Sequence, residues 1–216
     1  MEKIKYAIFD ADGTLMDSMH IWDTLDGAFL RMRGIVPEED RIFMRYGYFN
    51  AINYMIEKYN LNMTPVQVKA DIMKILEYYY NYVPTAKEGV KEFLEALKKN
   101  GVRCVVATAT DRYLMEPALE RNGLLKYFDT VFSTREAGIS KHQPDIFHIA
   151  RDFMSADEDI WVFEDAAYAI DTAKKAGYKV VAVEDYSAER EREHIKETAD
   201  YYVTDYSEMY KIFDLE

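Results

Sequence analysis

Residues 3–18 read KIKYAIFDADGTLMDS. The apolar run Tyr6-Ala7-Ile8-Phe9 suits a strand, yet it ends in two carboxylates, Asp10 and Asp12. Side chains alternate along a strand, so if Asp10 closes one, both acids lean the same way. Like charges held that close need compensation by a proton, a basic side chain or a cation. Gly13 follows, a residue that permits a sharp turn.

Further β-type runs lie at Val102–Ala107, Thr130–Phe132, Ile160–Phe163, Lys179–Val183 and Tyr201–Val203. The central ones are almost wholly apolar, as in strands covered on both faces. Helical patterns separate them. AKEGVKEFLEALKKNG puts Val90, Phe93, Leu94 and Leu97 on one face and stops at Gly101, and DAAYAIDTAKKAG stops at Gly177 in the same way. Strand alternating with helix from residue 84 onward predicts a doubly wound α/β parallel sheet in three layers. Residues 17–83 break the rhythm with helix upon helix: Ile21–Arg33, roughly Glu38–Tyr59, and Thr64–Tyr80. Thr64-Pro65 reads as an N-cap followed by Pro at the first helical position. The expected organisation is an α/β core of residues 1–16 and 84–216 carrying an all-helical insertion, 17–83. Tyr78, Tyr79, Tyr80 and Tyr82 are expected to pack a seam between the two.

The 216 residues suit one domain, or one domain with an insertion. A net charge of −12 argues against a nucleic-acid surface, which needs a basic stripe. It leaves an anionic small molecule open, because a local cation can reverse the sign inside one pocket. Cys104 is the one cysteine, so no intrachain disulfide can form, and its setting in VRCVVAT predicts a small buried side chain. No apolar stretch approaches the roughly 18 residues of a membrane span, and no signal-type apolar region opens the chain. The expectation is a cytoplasmic protein, without membrane or nucleic-acid partners, whose oligomeric state stays open between monomer and weak dimer.

In open α/β sheets, ligands sit beyond the carboxyl ends of the strands. At those ends the sequence places Asp10, Asp12, Gly13 and Thr14; then Thr108, Ala109 and Thr110; then Glu164 and Asp165. Lys141 lies in ISKHQPDIF, ahead of a helix. Two pairs of acids, a hydroxyl and a lysine are what phosphoryl transfer requires. A carboxylate can be the nucleophile, and a hard cation held by carboxylates, Mg²⁺ above all, offsets its repulsion from phosphate. A hydroxyl such as Thr108 and nearby N–H groups hold phosphate oxygens. Lys141 supplies compact positive charge. Asp12 can protonate a leaving oxygen and then activate water.

Each part alone has a plainer reading: a strand-end turn, a surface lysine, acids capping a helix. An EF-hand loop is excluded, since from Asp10 the Gly falls fourth and Ile21 twelfth. Order and spacing carry the inference. FDADGTLMDS, VVATA, SKHQPDIF and WVFEDAAYAIDTAKKAG resemble, in that order, the four motifs of the haloacid dehalogenase-like hydrolase superfamily. The resemblance is to its phosphatase branch with a helical cap, which includes phosphoglycolate phosphatases and beta-phosphoglucomutases.

That resemblance implies roles. Asp10 would be the nucleophile and a Mg²⁺ ligand. Asp12 would be the general acid/base and touch the metal through its backbone carbonyl. Thr108 and the Ala109 backbone would hold phosphate, Lys141 would steady its charge, and Asp165 with Glu164 would complete the metal site. The implied activity is Mg²⁺-dependent hydrolysis of a small phosphomonoester through an aspartyl-phosphate. The alternatives are a sugar-phosphate mutase and a non-catalytic phosphate-binding regulator. Trp22, Arg45, Tyr48 and Asn50 are candidate substrate contacts in the cap. Ala169 replaces a usual Gly, and His20 lies two positions before the His site of many relatives, which is Trp22 here. YGYFNAINY has no Arg after Gly47, unlike the mutases, and Asp12 argues against dehalogenation, whose members lack the second Asp. A receiver domain shares the chemistry but has no large insertion after its first strand.

Overall fold

The computed structural model of the protein describes residues 1–215. Contacts divide the chain into two compact units, Met1–Asp17 with Pro84–Glu216, and Ser18–Val83.

The first unit is built on a six-stranded parallel sheet. Its strands are β1 (Tyr6–Phe9), β4 (Arg103–Thr108), β5 (Val131–Ser133), β6 (Ile160–Glu164), β7 (Lys179–Val183) and β8 (Tyr201–Val203), in the order β5-β4-β1-β6-β7-β8. A two-residue antiparallel ladder, β2 (Met16–Asp17) with β3 (Thr85–Ala86), was not anticipated from the sequence. Leaving β1 the chain fills one side of the sheet, then crosses to start the other at β6, so β1 and β6 flank the switch point. Their register pairs Phe9 with Phe163, and the N–H of Asp10 donates to the Phe163 carbonyl at 2.9 Å. Asp10 therefore emerges beside Glu164.

Helices α5 (Val90–Lys99), α6 (Arg112–Arg121), α7 (Thr134–Ala137), α8 (Asp145–Met154), α9 (Ala167–Lys175), α10 (Arg192–Thr198) and α11 (Met209–Ile212) complete this unit. Ile8, Val105, Ala107, Val162, Val180 and Ala182 are fully buried, together with Ile146, Phe147 and Ile170 of α8 and α9. Phe9 stacks on Phe163 at 4.3 Å between centroids. Cys104 is buried in β4, where burial pushes its thiol up to about 12. The acidic tract from Glu184 to Glu197 is a 3₁₀ segment, Tyr186–Glu191, running into α10. Ala188 and Ile195 bury themselves against the sheet unit and set that course.

The second unit holds α1 (His20–Arg31), α2 (Ile42–Tyr46), α3 (Tyr48–Lys58) and α4 (Pro65–Tyr82). The single helix expected over 38–59 is two. Gly47 has φ 73 and ψ 162, outside the right-handed helical region, and the chain turns there. Thr64 caps α4 with a full capping box: its hydroxyl accepts from the Gln67 N–H, and Gln67 reaches back to the Thr64 N–H at 2.8 Å. Leu25, Phe29, Ile52, Met55, Ile72 and Leu76 are buried in this unit. Of the four tyrosines, Tyr79 and Tyr80 are buried and Tyr78 and Tyr82 exposed, so the cluster is only half packed. Tyr78 and Tyr82, four positions apart, are neighbours on the helix surface, with ring centroids 5.2 Å apart. No helix among the described residues is long and apolar enough to cross a membrane.

Candidate active site

Four segments of the α/β unit converge at the carboxyl ends of β1, β4 and β6. Asp10, Glu164 and Asp165 each offer an oxygen within 4.8 Å of the others, and all three are buried. Lys141, in the loop between α7 and α8, is only 3% exposed. Its ammonium donates to Asp10 Oδ1 and, at 2.6 Å, to Glu164 Oε1. The second Glu164 oxygen accepts from the N–H groups of Asp165 (2.9 Å) and Ala166 (3.0 Å). Glu164 is thus the partner that holds Lys141 in place.

Asp165 is held from the other side. Thr14 Oγ1 donates to its Oδ1 at 3.1 Å. Gly13 has φ +79, and a Cβ there would come within 2.3 Å of Asp165 Oδ2. The glycine is required both for the left-handed turn and for the close approach of the carboxylate. Asp12 accepts from Thr110 Oγ1 at 2.6 Å. Thr108 is fully buried at the end of β4, and its oxygen accepts from the Thr110 N–H at 3.1 Å, while Ala109 between them is exposed. The anchoring hydroxyls of Thr14 and Thr110 were not assigned roles from the sequence. The available signal was their place at the predicted strand ends, each two residues beyond a candidate site residue.

The electrostatics follow from burial. Asp10 is raised from 3.8 to about 8, first by desolvation and then by Glu164 and Asp12, against the pull of Lys141. Desolvation likewise lifts Asp165 well above the carboxylate range, with Glu164, Asp10 and Asp185 adding to it. Burial opposes the Lys141 ammonium, but Asp10 and Glu164 outweigh it and keep it charged. Crowding three buried acids around one ammonium favours protons on Asp10 and Asp165, protons that a cation could displace from this set of hard oxygen donors. Such a set fits a small divalent cation.

A cleft of about 450 Å³ on the same unit is lined by Lys87, Asp185, Arg192 and Tyr206 among others. It lies at the carboxyl ends of β7 and β8, beside the β2–β3 ladder, and none of Asp10, Asp12, Thr108 or Lys141 lines it. Lys87 there pairs with Asp185 at 3.0 Å.

Trp22, Arg45, Tyr48 and Asn50 belong to the helical unit. Trp22 on α1 and Tyr48 on α3 are half-buried, and Arg45 and Asn50 are exposed. Arg45 pairs with Glu39 at 2.5 Å, and the Tyr48 hydroxyl lies 3.3 Å from Met73 Sδ.

The haloacid dehalogenase-like hydrolase family matches residues 7–183. The chain is 27% identical over 219 residues to a protein of Caldanaerobacter subterraneus subsp. tengcongensis named "Putative pyrophosphatase PpaX", covering 97% of this chain and 94% of that one. It is 25% identical over 173 residues to the phosphorylated carbohydrates phosphatase of Thermotoga maritima, covering 79% and 80%. In fold it is similar to the crystal structure of a predicted phosphoglycolate phosphatase from Haemophilus somnus, with a TM-score of 0.78 at 20% identity over 98% of this chain and 99% of that one. The protein belongs to the haloacid dehalogenase-like hydrolase family.

Proposed function

We propose that this protein hydrolyses a small soluble phosphomonoester with Mg²⁺ and an aspartyl-phosphate intermediate. The observation that carries the reading is the buried group of Asp10, Glu164 and Asp165 around Lys141. Asp10 and Asp165 would hold the metal, with the backbone carbonyl of Asp12. When bound, Mg²⁺ supplies positive charge that offsets the phosphate oxygens. A carboxylate oxygen of Asp10 attacks phosphorus, the bond from phosphorus to the leaving oxygen breaks, and Asp12 gives that oxygen its proton. Asp12, now a carboxylate, takes a proton from water. The water oxygen attacks the same phosphorus, and Asp10 and inorganic phosphate are released. The hydrogen bond from Thr110 orients Asp12 for both transfers. Thr108, the Ala109 N–H and Lys141 hold the transferring group.

We take the helical unit, Ser18–Val83, as the cap that selects the substrate, with Trp22, Arg45, Tyr48 and Asn50 as its candidate contacts. The direct test is phosphate release from a panel of phosphorylated sugars, nucleotides and short acids, with and without Mg²⁺. Metal-dependent release from some members supports the reading. Isomerisation of a sugar phosphate without net phosphate release would favour a mutase. Finding neither activity in folded protein would refute the reading.

Linkage gives a second expectation. Between 3.8 and about 8 the folded chain keeps a proton on Asp10 that the unfolded chain has lost. Raising the pH through that interval therefore favours unfolding. The melting temperature without divalent ions should fall as the pH rises from about 5 to about 8. Millimolar Mg²⁺ should restore it most at the upper end and release protons on binding. Melting curves across pH, with and without the metal, check this; a flat profile would contradict it.

A further inference from the structure

Tyr206 lies outside the span matched by the family, residues 7–183, and outside every motif read in the sequence. It opens the 3₁₀ turn Tyr206–Glu208 that follows β8, and it is 1% exposed. Its ring packs against Phe93 at 5.7 Å between centroids. Gly89 makes room for it, since a Cβ at that position would come within 3.0 Å of the Tyr206 Cβ. A phenylalanine would fill this space equally well, so packing does not account for the hydroxyl.

The hydroxyl has one specific task. It donates to the backbone carbonyl of Thr14 at 3.0 Å. Burial, and after it the charges of Asp165 and Asp10, keep the phenol protonated and hence a donor. Thr14 uses its own hydroxyl to hold Asp165 at 3.1 Å, and Gly13 beside it lies against the same carboxylate. The turn is also closed by its own backbone, with the Gly13 N–H donating to Met16 and the Leu15 N–H to Ala11, each at 2.9 Å, while past it the Leu15 carbonyl accepts from the Lys87 N–H at 3.0 Å and Met16 and Asp17 pair with Ala86 and Thr85. Tyr206 is therefore an external tie on the segment that seats Asp165. A buried hydroxyl without this bond would be left unsatisfied, and so would the Thr14 carbonyl.

We infer that Tyr206 is a positioning residue for the metal centre, fixing the Gly13–Thr14 turn so that Asp165 keeps its place beside Asp10. The inference rests on the reading of Asp10, Asp12 and Asp165 as a Mg²⁺ site. It extends the machinery to the C-terminal segment beyond the family's span.

The test uses the full chain and Mg²⁺ alone, with no substrate. Mg²⁺ is titrated by calorimetry and by thermal shift into wild type, Tyr206→Phe, Tyr206→Leu and Tyr210→Phe. The last carries a neighbouring, half-exposed tyrosine also near Phe93. Amide exchange is followed at Gly13 and Leu15. Tyr206→Phe should need about tenfold more Mg²⁺, the lower range for residues that support metal ligands from outside. It should exchange Gly13 and Leu15 faster, and Tyr210→Phe should match wild type. Tyr206→Phe binding Mg²⁺ like wild type, with only Tyr206→Leu impaired, would reduce the residue to packing and overturn the inference. Absence of Mg²⁺ binding by wild type would instead overturn the reading of the site itself, and this inference with it.

Discussion

Asp10→Asn is expected to abolish phosphate release, lowering turnover by at least ~10³-fold, while leaving the chain folded. The amide keeps the shape of the carboxylate but cannot attack phosphorus or return as a leaving carboxylate. The effect on stability should have the opposite sign. Ionised Asp10 is disfavoured in the folded chain by burial beside Glu164 and Asp12. A neutral group there removes that penalty, and Lys141 retains Glu164 at 2.6 Å. At pH above about 5 and without metal, the variant should melt no lower than wild type, and its pH dependence should be flatter. Phosphate release and melting curves on one preparation check both halves. Residual turnover near wild type would place the nucleophile elsewhere.

Lys141→Ala should be the most destabilising change in the site. It removes the ammonium that pairs with two buried carboxylates, and breaking a buried pair on one side costs about 3–5 kcal/mol. Removing an electrostatic contact to a transferring group typically lowers turnover by about 10²–10³-fold in addition. The loss of stability should shrink at low pH, where protonation relieves the orphaned carboxylates, and shrink again in millimolar Mg²⁺, which supplies another cation. Chemical denaturation near pH 5 and pH 8, with and without Mg²⁺, reads all three effects. A variant as stable as wild type at pH 8 without metal would mean that the carboxylates do not depend on Lys141.

The sheet was legible because its strands are buried on both faces. β1, β4, β6 and β7 are nearly continuous apolar runs bounded by turn residues and amphipathic helices, and such runs show in composition alone. Which side chains gather at their ends was legible for a related reason. Once strand ends are known, the sheet rule says which side chains share an edge, and Asp10, Thr108, Glu164 and Asp165 each stand at or just beyond one. Lys141 came from motif order, since no strand delivers it.

What was misjudged lay where local pattern and backbone conformation diverge. The hydrophobic pattern of 38–59 continues through Gly47, but the backbone does not, and apolar spacing carries no record of a positive φ.

The amino-acid sequence by itself determined the α/β class, the helical insertion and the residue types gathered at the sheet edge. These follow from periodicity and from the short-range stereochemistry of strand and helix. Only the tertiary structure decided which hydroxyl steadies which carboxylate. Thr110 reaches Asp12 across 98 positions, Thr14 reaches Asp165 across 151, and Tyr206 reaches the Thr14 carbonyl across 192. A hydroxyl can donate to any acceptor within reach, so its residue type names no partner. Close packing brings one acceptor within hydrogen-bond distance and excludes water from the others, and that choice is made only when the chain is folded.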